Sequence, residues 1–152
     1  FGFGLDFGFH PHPDAMLKVA IDKKRKIIYG DECFYETGQR PSELSDNVGK
    51  YANRNDQIIA DSADPRMIWN LKTKYNIDGV KKTGTIEEWL RIMQDYKIII
   101  TEKSHNLARE LNNYVWSDKK AGIPIDEWNH LIDGMRYRLM AQTQMRIPTK
   151  AR

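Results

Sequence analysis

The order of the apolar segments constrains this chain more than any other feature. Three extended segments come first, at residues 3–7, 15–21 and 27–35, and the connections between them are short. Consecutive strands joined in this way form an antiparallel meander. Helical and strand-like patterns then alternate along the rest of the chain. We therefore predict an α/β fold with a mixed central sheet, whose first three strands are antiparallel and whose later strands are parallel, flanked by helices.

Local capping signals support the later elements. Asp64 before Pro65 is typical of an N-cap followed by proline at the first helical position. Thr85 and Glu88 fit a capping box, and an amphipathic stripe follows them. The predicted elements are, in chain order, a helix from residue 41, a strand at 57–60, a helix from 65, a strand at 77–80, a helix from 86, a strand at 97–101, a helix from 105, a small β-hairpin at 114–125 and a last helix from an Asp126 cap to about residue 140.

Composition excludes several classes of protein. The chain has 152 residues, the size of one domain, and no apolar run near the roughly 20 residues that cross a bilayer. No signal peptide is visible, and the first residue is Phe1, so we expect an excised piece of a longer protein. A single cysteine, Cys33, can form neither an internal disulfide nor a zinc cluster, which fits an intracellular setting.

Basic residues are clustered, although the net charge of +3 is too small to indicate nucleic-acid binding by itself. Residues 23–26 form a basic run, and residues 134–152 contain basic but no acidic side chains. Basic clusters beside acidic centres suit an enzyme that binds phosphates and cations. A solvated turn and a loose tail explain the same clusters equally well.

Two aspartates stand out in the predicted strands, one within a strand and one at the end of a strand. Asp6 lies within the apolar segment 3–7, where an ionised carboxylate is costly unless it is paired or bound to metal. Asp61 ends the strand 57–60, a position where α/β sheets often carry ligand-binding groups, although a turn residue fits there as well. Carboxylates are the ligands that Mg²⁺ and Mn²⁺ prefer.

The last helix carries a third candidate. Asp133 and His130 are three residues apart and lie on a helix face separate from the apolar stripe. Their position alone favours an ordinary solvent-exposed face. His10 and His12 alternate with prolines, and such a segment is more often a plain loop than a metal site.

Three segments, in this order and spacing, resemble the C-terminal nuclease domain of large terminase subunits from tailed phages and prophages. They are residues 4–8 (Gly-Leu-Asp-Phe-Gly), 58–65 (Ile-Ile-Ala-Asp-Ser-Ala-Asp-Pro) and 129–137 (Asn-His-Leu-Ile-Asp-Gly-Met-Arg-Tyr). Residues 34–38 and 113–116 are also similar to that family. The resemblance covers nearly the whole chain.

The resemblance implies a ribonuclease H-like fold and an acidic cluster of Asp6, Asp61 and Asp133 that holds two Mg²⁺ or Mn²⁺ ions. It implies that His130 supports a ligand, contacts phosphate or handles a proton. It also implies that the hairpin influences access of DNA to the site. Further DNA-binding candidates are Lys81, Lys82, Lys119, Lys120 and Arg136.

The function implied is metal-dependent endonucleolytic cutting of concatemeric viral DNA during packaging, by two-metal hydrolysis with low sequence specificity. The implied partners are double-stranded DNA, an ATPase motor domain, the small terminase and the portal, with no membrane, in the cytoplasm of the bacterial host. No phosphate-binding loop of the G-x-x-x-x-G-K-[ST] type is present, so we expect the motor to be absent from this chain.

We assign residues 1–140 to the nuclease domain and 141–152 to a basic tail whose weak pattern leaves disorder open. Two alternatives remain. One is another ribonuclease H-like nuclease, a junction resolvase or a nuclease for RNA–DNA hybrids. The other is a non-catalytic module that docks on DNA or on the portal.

Overall fold

The computed structural model describes residues 1–8, 11–115 and 129–144. Its sheet contains β1 (Gly2–Asp6), β2 (Asp14–Asp22), β3 (Ile27–Glu36), β4 (Gln57–Ala60), β5 (Asn76–Gly79) and β6 (Lys97–Ile100). The strand order across the sheet is β5-β4-β1-β2-β3-β6. The pairs β1–β2 and β2–β3 are antiparallel, whereas β4, β5 and β6 each join a neighbour in parallel. The predicted meander followed by parallel strands is confirmed.

Helices cover both faces of the sheet. They are α1 (Pro41–Gly49), α2 (Pro65–Leu71), α3 (Ile86–Gln94), α4 (His105–Glu110) and α5 (His130–Gln144), with a π-helical turn (Leu111–Val115) directly after α4. Helices α1 and α2 pack into one core, and α3, α4 and α5 pack into the core on the opposite face. No helix among the described residues is long and apolar enough to cross a membrane.

The predicted caps of α2 and α3 are confirmed. The Asp64 side chain accepts a hydrogen bond from the Met67 N–H at 3.1 Å, and Thr85 and Glu88 form the capping box. Helix α4 differs, because the side chain of Ser104 does not cap it. The carboxylate of Glu32 on β3 instead accepts from the first backbone N–H groups of α4.

The segment before the last helix differs from the predicted β-hairpin at the two hairpin residues that the structure describes. Tyr114 and Val115 belong to the π-helical turn and not to a strand, and the rest of the predicted hairpin lies outside the described residues, together with Lys119 and Lys120. Helix α5 begins at His130, four residues after the predicted cap at Asp126, which is also outside the described part. The helix extends to Gln144, so the first four residues assigned to the tail are helical.

Helix α5 packs directly on β1, and the alternation of β1 side chains explains how. Phe3 and Leu5 point into the core of α1 and α2. Their neighbours Gly2, Gly4 and Asp6 face α5, where they meet Arg138, Gly134 and His130, respectively. Helix and strand therefore run in opposite directions. Four helical residues advance by about 6.0 Å and two strand residues by about 6.6 Å, so the two elements stay in register over these contacts.

The two glycines allow this close approach. A Cβ atom on Gly4 would overlap the backbone carbonyl of Gly134, so no larger residue fits without moving the helix. Helix α5 is consequently buried on almost all sides, including Arg136, at 5% exposure, and Arg138. The interpretation of Asp133 and His130 as an ordinary exposed face is wrong, because the sheet and the neighbouring helices cover that face as well.

Candidate active site

Three carboxylates meet at one end of the sheet. Asp6 is the last residue of β1, and Asp61 is the first residue after the parallel neighbour β4. The Asp61 backbone N–H donates to the Leu5 carbonyl at 3.1 Å, so the two strand ends lie side by side. Asp133 reaches the same region from α5, one helical turn after His130. The parallel pairing of β1 and β4 and the packing of α5 on β1 together assemble this group.

Asp6 is the most strongly perturbed of the three. Its side chain is 9% exposed, and His130 Nδ1 lies 3.4 Å from its Oδ2. Burial, and next the charge of Asp61, raise the pKa of Asp6 to about 8. The positive charges of Arg136 and Lys82 oppose this increase. A carboxyl with so high a pKa is short of positive charge in its surroundings.

Asp133 has a cationic partner but is also perturbed. Arg136 Nη2 donates to Asp133 Oδ1 at 3.0 Å. Burial nevertheless raises the pKa of Asp133 to about 7, with a further increase from the charge of Asp6. The resemblance implies that Arg136 contacts DNA, but its side chain is buried. Its guanidinium instead pairs with Asp133 inside the fold.

Asp61 faces a more exposed cation. Lys82 Nζ lies 3.2 Å from Asp61 Oδ1, and the Lys82 side chain is 49% exposed. Both cations lie near the ring of Tyr137, whose centroid is 5.9 Å from Lys82 Nζ and 5.0 Å from the Arg136 guanidinium. In the described structure, the negative charge of the three aspartates is thus balanced partly by one buried and one accessible basic side chain.

A cavity of about 200 Å³ opens beside these carboxylates. It is lined by Asp6, Phe7, Gly8, His12, Asn129, His130 and Asp133. The ring of His12 lies 5.3 Å from that of His130, centroid to centroid. The sequence favoured a plain loop for His12, because this histidine stands between two prolines. No local pattern indicates that His12 lies beside the end of β1. His10 lies outside the described residues.

The chemistry of this group suits a hard divalent ion, although its present arrangement does not form a finished metal site. Within the described residues, no three His, Cys, Asp or Glu side chains are grouped so that they could hold a metal ion. Asp61 and Asp133 are instead turned to Lys82 and Arg136. Carboxylate oxygens are the donors that Mg²⁺ and Mn²⁺ prefer, and the raised pKa values of Asp6 and Asp133 show a demand for more positive charge. The donor chemistry of these residues therefore fits such an ion.

The basic run at residues 23–26 lies away from this site. It follows β2, whose nine residues span about 30 Å from the carboxylate end of the sheet. Lys23 Nζ donates to the Gln142 carbonyl near the end of α5, and Lys26 pairs with Asp95 at 3.4 Å. This run therefore cannot contact a group that lies beside Asp6. The nearer basic residues are Lys81 and Lys82, which follow β5 after Val80.

A mixed six-stranded sheet that carries carboxylates at the ends of β1 and β4 and on the last helix is the architecture of a ribonuclease H-like domain. Residues 6–140 match the family described as the terminase RNAseH like domain, and the chain belongs to that family. The resemblance of the three sequence segments is thereby confirmed.

Relatives of known identity agree with this assignment. The large subunit of the terminase of Bacillus phage SPP1 is 33% identical over 144 residues, which are 88% of this chain and 34% of that protein. The PBSX phage terminase large subunit of Bacillus subtilis (strain 168) is 22% identical over 130 residues, 84% of this chain and 30% of that protein. The chain therefore spans about a third of the length of these relatives.

Two solved structures share the fold. The crystal structure of the g2p (large terminase) nuclease domain from bacteriophage SPP1 with bound Mn has a TM-score of 0.77 and 33% identity, and the match covers 95% of this chain and 88% of that one. The P22 large terminase nuclease domain has a TM-score of 0.73, with 93% and 80% covered. At 12% identity, the P22 domain supports the fold alone.

Proposed function

We propose that this chain is a divalent-metal-dependent DNA endonuclease that cuts concatemeric viral DNA during genome packaging. The observation that carries the proposal is the convergence of Asp6, Asp61 and Asp133 at one end of the sheet, with strongly raised pKa values at Asp6 and Asp133. The SPP1 nuclease domain with bound Mn, which is 33% identical, supports the metal requirement. Low sequence specificity follows if the contacts are to the DNA backbone.

Asp6, Asp61 and Asp133 would hold the metal ions. Two Mg²⁺ or Mn²⁺ ions, when bound, supply positive charge at the scissile phosphate and lower the pKa of the attacking water. Asp6 is central to this set, since its pKa responds to the charges of Asp61, Arg136 and Lys82. Metal ligands must be deprotonated, so with an Asp6 pKa of about 8 we expect cation affinity to increase as pH rises toward about 8.

Each of the surrounding residues has a distinct task. Lys82 is accessible and can contact a phosphate oxygen while it remains beside Asp61. Arg136 is buried, and its guanidinium orients Asp133. His130 has its Nδ1 directed to Asp6, and its ring lines the cavity, so its other nitrogen can exchange a proton with a reacting group there.

A cleavage assay with a matched control tests the proposal. Purified chain is incubated with duplex DNA in Mn²⁺, Mg²⁺ or EDTA. The variant Asp6→Asn is compared with Asp78→Asn, which changes an exposed aspartate on the adjacent strand β5 that pairs with Lys72. We expect cleavage with either metal and none with EDTA. Asp6→Asn should lose more than about 100-fold, since even outer partners of metal sites contribute about 10–100-fold. Cleavage by Asp6→Asn at the wild-type rate would refute the assignment.

The substrate is tested in the same assay. Duplex DNA, branched DNA and RNA–DNA hybrids are offered side by side, and we expect the duplex to be cut fastest. Preference for a branched or hybrid substrate would identify a different ribonuclease H-like nuclease. A Mn²⁺ titration without binding would identify a docking module. The further partners, namely an ATPase motor, the small terminase and the portal, and the location in the bacterial cytoplasm belong to this proposal, on the basis of the terminase relatives.

A further inference from the structure

A fourth carboxylate, outside the predicted set, lies behind the site. Glu110 is the last residue of α4 and is fully buried. Its side chain accepts three backbone hydrogen bonds from the start of α5: from His130 at 3.0 Å, from Leu131 at 2.8 Å and from Ile132 at 3.0 Å. It is thus bonded to a helix that begins 20 residues later in the chain.

These three bonds complete the first turn of α5. The first N–H groups of a helix have no carbonyl partner within the helix. In α5, the Asp133 N–H is the first to find one, at 2.7 Å from the Asn129 carbonyl. The three preceding N–H groups all donate to Glu110. A negative charge at this end of a helix is also favourable, because the helix dipole is positive there.

The residues held by Glu110 are those that reach the site. His130 is bonded at both ends, with its backbone N–H at Glu110 and its ring at Asp6. Its ring also lies 6.0 Å from that of Tyr35, centroid to centroid. Asp133 follows one helical turn later, so a shift of the helix start displaces both side chains relative to β1.

We propose that Glu110 is a positioning residue of the active site, which sets the distance of His130 and Asp133 from Asp6 by holding the N-terminus of α5. Its consequence for cleavage rests on the proposed function, whereas its effect on the position of His130 does not. Glu110 does not line the cavity. It holds the first three backbone N–H groups of α5, and its charge also acts on His130 and Asp133.

The variant Glu110→Gln probes this role with little change in volume. One amide oxygen can still accept from Leu131 and Ile132, because both now donate to the same oxygen, Oε1. The amide nitrogen would then face the His130 N–H, donor against donor. The matched control is Glu88→Gln, in which Glu88 accepts the Thr85 N–H at the start of α3, a helix that carries none of the site residues.

Two readouts separate positioning from mere stability. NMR measures hydrogen exchange of the His130 amide and the nuclear Overhauser contact between the His130 and Tyr35 rings. Calorimetry measures Mn²⁺ affinity, with DNA cleavage measured alongside. For Glu110→Gln we expect faster exchange at His130, a weaker ring contact and a loss of about tenfold in Mn²⁺ affinity and cleavage, the lower end of the range for outer partners of a metal site. For Glu88→Gln we expect none of these changes.

The inference fails if the His130 signals of Glu110→Gln match those of the wild type, or if the ring moves but Mn²⁺ affinity and cleavage stay within about twofold, well below the effect of a true outer partner. If the wild-type protein neither binds Mn²⁺ nor cuts DNA, the proposed function is refuted. The NMR comparison would still decide whether Glu110 holds His130 against β1. If Glu110→Gln does not fold, the same measurements are made on Glu110→Asp. This variant keeps the charge, but its shorter side chain withdraws the carboxylate from α5.

Discussion

Replacement of Asp6 by asparagine should stabilise the metal-free protein at alkaline pH while it abolishes cleavage. Folding raises the pKa of this carboxyl from 3.8 to about 8. At about 1.4 kcal/mol per pKa unit, the ionised form of Asp6 costs the folded state about 6 kcal/mol. The asparagine amide is itself a buried polar group, so we expect a net gain of about 2–4 kcal/mol in the free energy of unfolding above pH 8.

The sign follows from proton linkage. The pKa of Asp6 is higher in the folded than in the unfolded state, so the unfolded chain loses this proton first as pH rises. The stabilising contribution of the protonated form is complete below about pH 4 and is lost as pH rises to about 8. Asp133 and Glu110 each have a pKa raised to about 7, so their ionisation also lowers the stability of both proteins as pH rises. The contribution of Glu110 largely cancels when the variant is compared with the wild type. The pKa of Asp133 should be lower in the variant, because the charge of Asp6 is gone, and this adds to the same difference.

Urea unfolding in EDTA between pH 5 and pH 9 measures the effect. The stability difference between Asp6→Asn and the wild type should grow with pH in favour of the variant. Added Mn²⁺ should stabilise the wild type and leave the variant unchanged, since binding to the folded state alone raises stability. A pH-independent difference, or a variant that is less stable than the wild type at pH 9, would refute the account of Asp6 as a carboxylate that lacks compensating charge.

Three further substitutions test separate parts of the structure. Gly4→Ala places a methyl group against the Gly134 carbonyl and should destabilise the fold by about 3 kcal/mol in urea unfolding; an unchanged midpoint would contradict this close packing. Lys82→Ala should weaken DNA binding and lower its salt slope by about one, measured by fluorescence anisotropy; an unchanged slope would confine Lys82 to its pairing with Asp61. His12→Ala should lower cleavage by about tenfold at unchanged stability; full activity would exclude His12 from the reaction.

Local sequence patterns were sufficient for the order of the elements from β1 to α4. Some signals depend only on residues that are close in the sequence. They are strand alternation, the proline after Asp64 and the capping box of Thr85 and Glu88, and they can be predicted without knowledge of the tertiary structure. The same holds for Asp6. A carboxylate between Leu5 and Phe7 is costly wherever the strand is buried, and the structure buries it.

Asp133 shows where such reasoning ends. The helical periodicity assumes that one face is buried and the other exposed, but α5 is enclosed on almost all sides. Whether Asp133 and Arg136 face solvent or each other depends on what packs against the helix. The periodicity contains no information about that partner.

Local patterns in the sequence predict the meander, the alternating strands and helices that follow it, and the aspartate that a buried strand cannot accommodate without a partner. Long-range packing was needed to show that Gly4 meets Gly134, that Glu110 binds the start of α5 and that His12 lines the same cavity. These contacts join residues far apart in the chain. They exist because two glycines let a helix lie directly on a strand in matching register, and that packing brings Asp133 and His130 to Asp6.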